Sequence, residues 1–468
     1  MKKMLLIPLN SEISTPMYEQ IYEYIKQDIL HGNFAKDTKL PSSRILAEQL
    51  NISRSTVNSA YEQLLSEGYI YSKEKKGYYV SDVNRLQVFT HTEQLQKNKE
   101  NFCGLIKEKK MYTFSPFLID TENFPYSIWR KLTNNVISYW NAEALSLGDS
   151  QGDASFRQAI WEYLTGAREV HCSKEQIIVG AGTDYLLMLL CGLFPESYKI
   201  AMENPSYMRA YHVFCGLNRT IVPVSVTNTG MNISNLIKTD ASIAYVTPSH
   251  QYPLGVIMSV AKRHELLRWA NQGERYIIED DHDSEFRYKG LPIPSLQSMD
   301  TKEKVIYMGT FSRAIAPAIR VSYMVLPPSL MNLYQKKFAH YSSTVSRVDQ
   351  KILTDFIKQG YLERHLNKMR KIYHQKHDYM LKSFRCFGDK VSITGEYAGL
   401  HLVVTFRNGL SEEEIMYRAK SVNIYLYSIK EHEIVPLNYT EPTFLFGFAG
   451  LSEKEIAETI SKLYQALL

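Results

Sequence analysis

The sequence is poor in the features that mark membrane proteins or proteins of an oxidising compartment. Its five cysteines are Cys103, Cys172, Cys191, Cys215 and Cys386, and none stands in a CxxC or CxxH spacing. This pattern argues against a disulfide framework, and no metal site is predicted. The apolar run within the amino-terminal MKKMLLIPLN is too short for a signal peptide or a membrane span. We therefore expect a soluble protein of the cytoplasm that has no membrane partner.

The chain also lacks a strong excess of charge of either sign. It has 54 Lys+Arg against 49 Asp+Glu, and residues 1–80 carry 10 against 9. Bulk charge therefore does not indicate nucleic-acid binding, which has to be judged from local placement. A length of 468 residues exceeds one typical domain, so two or three domains are expected.

Helical and strand-like patterns follow one another closely in the first eighty residues. Helices are predicted over residues 17–30, 45–50 and 54–65, and a hairpin within residues 69–80. The first segment carries isoleucine at positions 21, 25 and 29, the apolar stripe of a helix. Serines precede the second and third segments, where Ser42 or Ser43 and then Ser53 can cap the helix, and Asn51 is a turn residue between them.

Three helices followed by a basic hairpin predict a winged helix-turn-helix, whose third helix enters the major groove of DNA. Side chains that can contact phosphates or base edges lie at the helix starts and at the hairpin tip. They are Arg44, Ser53, Arg54, Ser55, Thr56 and Asn58, and then Lys73, Lys75 and Lys76, with Gly77 beside the hairpin tip. The alternative for each residue taken singly is an ordinary solvated surface.

The ordered pattern LPSSRxLAxxLxxSRxTVxxAYxxLxxEGY, residues 40–69, resembles the DNA-binding module of the GntR superfamily. The resemblance implies a dimer that reads two half-sites of double-stranded operator DNA. It places Arg44, Arg54, Thr56 and Gly77 at positions that commonly contact DNA in that family. Residues 1–80 are thus predicted to be a DNA-binding domain, and the polar, charged residues 81–110 a linker.

Beyond Met111, helical runs alternate with short apolar strands that end in polar loops. Strands are predicted within residues 176–180, 198–202, 243–247, 275–279 and 305–309, and later at 400–405 and 444–448. Such alternation predicts an α/β architecture with a largely parallel sheet, whose carboxyl-edge loops build the binding site.

Several of these loops carry candidate ligand-binding groups, and each is weak alone. Gly180–Asp184 can present amide donors at a helix start, although a lone Gly-x-Gly is more often a tight turn. The tyrosine of Asn204–Tyr207 could stack on a flat ring or pack in the core. Ser249–Gly255 is a second polar loop, and Ile277–His282 ends in three carboxylates that could hold a pyridinium proton or cap a solvated loop.

In chain order SQG, GAGT, ENPSY, TPSHQYPLG, IIEDDHDSEF and MGTFSRAIAPAIR, within residues 150–320, resemble the aminotransferase-like domain of MocR-type regulators, especially the GabR subgroup. The resemblance implies a fold-type-I aminotransferase-like domain over residues 111–468, with a small α+β subdomain from about residue 380. It further implies a homodimer, domain-swapped in such regulators, that senses a small effector through pyridoxal phosphate.

The resemblance also assigns roles to residues of this chain. It implies that Gly182, Thr183, Ser312 and Arg320 hold the cofactor phosphate, that Tyr207 lies beside the ring and that Asp280 faces the pyridine nitrogen. Three positions depart from the family pattern: Arg313 replaces the Schiff-base lysine, His282 replaces a tyrosine, and Gly450 replaces an arginine expected to bind a substrate carboxylate.

Arginine at position 313 changes the expected chemistry, because a guanidinium stays protonated and cannot supply the free amine of a Schiff base. We therefore interpret the domain as catalytically inactive, with no catalytic residues. The leading hypothesis is a DNA-binding regulator with a sensor site for an effector, which an anionic compound would suit. A second hypothesis is a regulator that binds pyridoxal phosphate without a lysine bond, with Arg313 and Arg320 gripping its phosphate or a carboxylate. The third is an active aminotransferase.

Overall fold

The computed structural model describes residues 7–9, 15–73, 76–82, 111–288 and 293–468. The chain divides into two units, Met1–Glu108 and Lys109–Leu468. Lys75 and most of the expected linker, residues 83–110, lie outside the described residues. None of the helices formed by the described residues combines the length and apolar character of a membrane span. Cys172, Cys191, Cys215 and Cys386 are free thiols.

Three helices and a hairpin make up the first unit. They are α1 (Met17–Leu30), α2 (Ser43–Leu50), α3 (Arg54–Ser66), β1 (Ile70–Lys73) and β2 (Gly77–Val80). The predicted caps form: Ser42 accepts a hydrogen bond from the Ile45 amide at 3.4 Å, and Ser53 accepts one from Thr56 at 3.2 Å. Asn51 takes the left-handed conformation between α2 and α3, with φ of 53°.

The isoleucine stripe of α1 closes the core of this unit. Ile21, Ile25 and Ile29 are buried in one cluster with Val57 and Leu64 of α3. Burial of each such side chain stabilises the fold by about 1.5–3 kcal/mol. Strands β1 and β2 pair antiparallel in a register that sets Ile70 opposite Val80. The unit is therefore the winged helix-turn-helix that the sequence predicts.

The second unit begins with β3 (Tyr112–Thr113) and contains a large sheet built from β4 to β11. These strands are β4 (Ile177–Gly180), β5 (Ile200–Asn204), β6 (Ile221–Thr227), β7 (Gly230–Met231), β8 (Ile243–Val246), β9 (Tyr276–Asp281), β10 (Val305–Thr310) and β11 (Ser322–Val325). Their order in the sheet is β4-β11-β10-β9-β8-β5-β6-β7. The five strands from β10 to β6 are parallel, as predicted, whereas β11 and β7 run antiparallel to their neighbours.

A smaller sheet follows towards the carboxyl terminus. Its strands β12 (Val391–Thr394), β13 (His401–Phe406), β16 (Thr443–Gly447) and β15 (Tyr427–Ser428) pair antiparallel in that order. Strand β14 (Ile424–Tyr425) pairs in parallel with β3, so the first residues of the unit lie beside this region. The two strands predicted here match β13 and β16. Ser452 caps the predicted closing helix: its hydroxyl accepts a hydrogen bond from the Glu455 amide, and the Glu455 carboxylate accepts one from the Ser452 amide.

Helices surround both sheets of the second unit. They are Tyr126–Val136, Ala154–Arg168, Thr183–Leu193, Met208–Gly216, Ile233–Ile237, Val260–Ala270, Phe311–Ala314, Pro328–Phe338, Arg347–Lys358, Tyr361–Phe384, Glu412–Ser421 and Glu453–Leu467. Parallel strands leave their carboxyl ends on one edge of a sheet, where a ligand cleft forms. Here that edge carries the ends of β5, β8, β9 and β10.

Candidate ligand site and nucleic-acid interface

A cleft opens at the carboxyl edge of the large sheet and has about 910 Å³ of empty space, the open solvent at its mouth included. Its lining includes all eight residues that the sequence analysis named for the cofactor. They are Gly182, Thr183, Tyr207, Asp280, His282, Ser312, Arg313 and Arg320. The fold therefore brings together residues from four separate parts of the chain, namely the segments that follow β4, β5 and β10 and the end of β9.

One end of the cleft is built to receive an anion. Gly182 precedes the helix Thr183–Leu193 with φ of 94°, and the helix start presents free amide groups there. A Cβ atom on Gly182 would lie 2.6 Å from Nη2 of Arg320, so the guanidinium packs directly on this glycine. Arg320 donates to Asp184 at 3.3 Å, and it retains further donors for an anion.

Three hydroxyl side chains also lie in the wall of the cleft. Thr310 caps the short helix Phe311–Ala314 by accepting a hydrogen bond from the Ser312 amide at 3.1 Å. The Thr310 hydroxyl also accepts one from Ser322 at 2.9 Å. Thr310, Ser312 and Ser322 all line the cleft. Short hydroxyl side chains held in this way can bond phosphate oxygens without large loss of conformational freedom.

The acids at the end of β9 lie inside the protein and not on a solvated loop. Glu279, Asp280 and Asp281 are all at most 5% exposed. The Tyr245 hydroxyl donates a hydrogen bond to Asp280. Burial raises the pKa of the Asp280 carboxyl above its ordinary value. Asp280 is thus a buried acid in the wall of the cleft, and the alternative of a solvated acidic loop is wrong.

Arg313 lies in the cleft wall with a side chain only 12% exposed. Its Nη1 donates to the Pro116 carbonyl at 2.6 Å, and its Nη2 is 4.0 Å from Oδ2 of Asp283. Nε finds no acceptor among the described residues. No lysine occurs among the described residues that line the cleft.

Two histidines share the Asp283 carboxylate with Arg313. His250 Nδ1 lies 3.1 Å from Oδ2 of Asp283, and His282 Nε2 lies 3.4 Å from Oδ1 without hydrogen-bond geometry. Burial opposes ionisation of Asp283, but the charges of His250, His282 and Arg313 hold its pKa well below the ordinary value. The two ring nitrogens and a carboxylate oxygen lie within 4.8 Å of one another. Because a guanidinium already faces this carboxylate, we interpret the group as a charge network and not as a metal site.

Sequence reasoning missed several residues of the cleft. Phe117, Asp184, Arg209, Thr247, Tyr252, Thr310, Pro317 and Ser322 also line it. Tyr252 lies in the polar loop Ser249–Gly255, so its aromatic side chain among polar residues was a usable signal. Phe117 comes from a segment without a strand or helix pattern, so the sequence gave no signal that would have placed it in the cleft. Gly450 packs against Leu118 and is not among the described residues that line the cleft.

Glu203, at the end of β5, is fully buried below the cleft. One carboxylate oxygen accepts hydrogen bonds from Thr247 N at 3.2 Å and Thr247 Oγ1 at 3.1 Å, and the other has no partner among the described residues. Burial raises the pKa of Glu203 from 4.5 to about 7. The folded protein therefore keeps this proton over a range where the unfolded chain releases it.

We expect this proton to make stability pH-dependent. The raised pKa contributes stability that is complete below about pH 4.5 and lost as the pH rises through about 7, since the unfolded chain then binds fewer protons. Between pH 5 and pH 8, urea unfolding should show the wild type losing up to about 3 kcal/mol relative to Glu203→Gln. Equal pH slopes for the two proteins would contradict a buried, protonated Glu203.

The amino-terminal unit presents the predicted DNA-contacting groups on its surface. Arg44, Arg54, Ser55, Lys76 and Gly77 are exposed. Arg44 pairs with Glu48 at 3.1 Å, an exposed contact of about 0.3–0.5 kcal/mol that a phosphate could displace.

The other predicted DNA-contacting residues of this unit are held by neighbouring side chains. Ser53 bonds the hydroxyls of Ser55 and Thr56, each at 2.8 Å, and Asn58 is half-buried. Lys73 lies over the rings of Tyr71 and Tyr79. These contacts fix the start of α3 and the end of β1 next to the tip of the wing.

Comparison with known proteins decides the family. Residues 17–80 match the model of the gntR family of bacterial regulatory proteins, and residues 125–463 match aminotransferase class I and II. An uncharacterized HTH-type transcriptional regulator, YdeL of Bacillus subtilis (strain 168), is 40% identical over 98% of both chains. The probable rhizopine catabolism regulatory protein MocR of Rhizobium meliloti is 30% identical over 99% of this chain and 96% of its own. The chain belongs to the MocR-type transcriptional regulators.

In this MocR-type regulator the second unit has the aminotransferase fold. The crystal structure of kynurenine aminotransferase from Pyrococcus horikoshii superimposes with a TM-score of 0.68 at 23% identity, covering 82% of this chain and 98% of that one. An identity this low shows the fold alone. The predictions of a GntR-type winged helix, a fold-type-I aminotransferase-like domain and a regulatory function are confirmed.

Proposed function

We propose that this MocR-type regulator binds operator DNA through its winged helix, and that its second unit is a sensor without catalytic activity. The cleft holds pyridoxal phosphate or a related phosphorylated pyridine without a covalent bond to the chain. The observation on which the proposal depends is Arg313, which stands in the wall of a cleft whose described lining contains no lysine.

The residues present fit the phosphate and the ring of such a compound. Gly182 and Thr183 at the helix start, with Ser312 and Arg320, would hold the phosphate, because amides, a hydroxyl and a guanidinium are its usual donors. Asp280 would face the ring nitrogen. The close packing of Arg320 on Gly182 supports this assignment, since a side chain at position 182 would fill the space next to the guanidinium.

The same site does not fit transamination. Pyridoxal phosphate supplies an electrophilic aldehyde, and an aminotransferase needs a free amine that bonds to it and later carries a proton. A guanidinium does not supply a free amine, and that of Arg313 is held by the Pro116 carbonyl, so it serves neither purpose. An active aminotransferase is therefore the weaker candidate, and the two relatives above are named as regulators.

DNA binding would be carried by the start of α3. Arg54 is exposed at the first position of the helix, where a guanidinium reaches a phosphate or a guanine edge. We expect Arg54→Ala to weaken binding to a fragment of the regulator's own promoter region by about tenfold in a gel-shift titration at moderate salt.

Lys36→Ala is the matched control, because Lys36 is an exposed cation that already pairs with Asp82 at 2.8 Å. This variant should bind the fragment about as well as the wild type. We also propose a homodimer, and two protected half-sites in a footprint would agree with it. Wild-type binding no stronger than to an unrelated fragment would reject the proposed DNA-binding function, and a single protected half-site would reject the dimer.

A further inference from the structure

The wall of the cleft contains three buried polar groups that the protein leaves without a hydrogen-bond partner. They are Nε of Arg313, Nε2 of His282 and the hydroxyl of Tyr252, none of which meets a partner among the described residues. Buried donors are normally satisfied, and an exception in a cleft wall indicates a ligand group that completes them. Two of the three groups, on Arg313 and Tyr252, are donors that favour an oxygen acceptor.

Charge divides the cleft into two anion-binding ends. Arg320 and Arg209 both face Asp184, at 3.3 Å and 3.9 Å, beside the helix start that would take a phosphate. Arg313 lies apart from that pair and is close to Asp283, at 4.0 Å. Asp283 also contacts His250 and His282, and at 4.0 Å it lies beyond hydrogen-bond distance of the Arg313 guanidinium, which therefore keeps donors for a further acid. The two ends therefore suit a ligand with two acidic groups.

We propose that Arg313 is the receptor for a carboxylate, and that the ligand of this sensor is a phosphorylated pyridine joined to an amino acid. The inference rests on the proposed function, in which the other end of the cleft holds the phosphate. A planar guanidinium binds a carboxylate through two parallel N–H donors, and such charge-assisted bonds are about twice as strong as neutral ones. The replacement of lysine thus converts an amine position into an acid-binding position.

Binding at Arg313 also has a structural consequence. The acceptor that now holds its Nη1 is the Pro116 carbonyl, a neutral group that a carboxylate outcompetes. The neighbouring Phe117 lines the cleft, with its ring 5.8 Å from that of Tyr252. The preceding Phe114 carbonyl accepts a hydrogen bond from Gly447 at 2.8 Å, which ties this segment to the small sheet. Ligand binding therefore releases the Pro116 carbonyl and loosens residues 115–118, which follow closely on the linker in the chain.

Two stable probes separate the carboxylate from the rest of the ligand. N-(5′-phosphopyridoxyl)-L-leucine carries both acidic groups, whereas pyridoxamine 5′-phosphate carries the phosphate and ring alone. In calorimetric titrations of the full-length protein, we expect the leucine adduct to bind at least about tenfold more tightly. Arg313→Gln should reduce this ratio to below about threefold, and Arg209→Gln, a control at the other end of the cleft, should preserve it.

Hydrogen exchange tests the second part of the inference. The amides of Phe117 and Leu118 should exchange faster with the leucine adduct bound than with pyridoxamine 5′-phosphate bound. Equal affinities of the two probes for the wild type would overturn the carboxylate site while leaving the proposed sensor function intact. Failure of both probes to bind would overturn both. Unchanged exchange with the adduct bound would overturn the release of residues 115–118.

Discussion

Arg313→Lys is expected to let this protein form a covalent bond to pyridoxal phosphate, which the wild type cannot form. Position 313 lies in the cleft wall, and the short helix Phe311–Ala314 that carries it is capped by Thr310. A lysine there supplies the amine that a guanidinium cannot provide. Mixing the variant with pyridoxal phosphate should produce a visible absorbance band, and borohydride should fix the cofactor to the peptide that contains position 313.

Arg313→Gln serves as the control for this gain, because it removes the charge without providing an amine. Neither this variant nor the wild type should retain cofactor at position 313 after borohydride. If Arg313→Lys bound pyridoxal phosphate but trapped none, position 313 would not face the aldehyde. The interpretation of this residue as the replaced lysine would then be wrong.

Gly182→Ala is expected to lower strongly the affinity of the protein for phosphorylated ligands. The residue has φ of 94° and ψ of 165°, a region that only glycine adopts without strain. The added Cβ would also lie 2.6 Å from Nη2 of Arg320 and displace the guanidinium. Since charge-assisted bonds to phosphate are worth about 1.5–3 kcal/mol each, affinity for pyridoxamine 5′-phosphate should fall by about tenfold to a hundredfold.

Gly166→Ala is the matched control, because a Cβ at this helical glycine meets no atom within 4 Å. Its ligand affinity should equal that of the wild type, and thermal melting should confirm that both variants remain folded. If Gly182→Ala bound pyridoxamine 5′-phosphate as tightly as Gly166→Ala, the phosphate would not lie at this helix start.

The amino-terminal unit could be predicted closely because its signals are local. Ser42 and Ser53 cap the helices that follow them, and Asn51 adopts the left-handed turn between them. Each predicted helix of this unit lies within two residues of the observed one. A cap needs only a side chain and an amide three residues on, so it can be read from a short stretch of sequence.

The second unit shows where sequence reasoning ends. Strand β11 inserts antiparallel between β4 and β10, and β3 pairs with β14 more than 300 residues away. Neither pairing leaves a local pattern, because register between distant strands is set by the whole core. The order of the sheet therefore had to come from the structure.

The candidate site was predicted in its residues but not in its contacts. All eight named side chains line one cleft, since loops after parallel strands converge on one edge. The contact between Arg313 and the Pro116 carbonyl was not foreseen, because residues 115–118 carry no strand or helix pattern. The burial of Asp280 was likewise hidden, as acidic residues after a strand usually mark a solvated loop.

The most direct test of the account measures how wild-type protein holds pyridoxal phosphate. The ligand bound per chain is determined first by equilibrium dialysis and then, after borohydride treatment, on the denatured chain by peptide mapping. The account predicts saturable binding in the native protein and no modified peptide from the cleft. Cofactor fixed to a cleft peptide of the wild type, or no binding to the native protein, would contradict it.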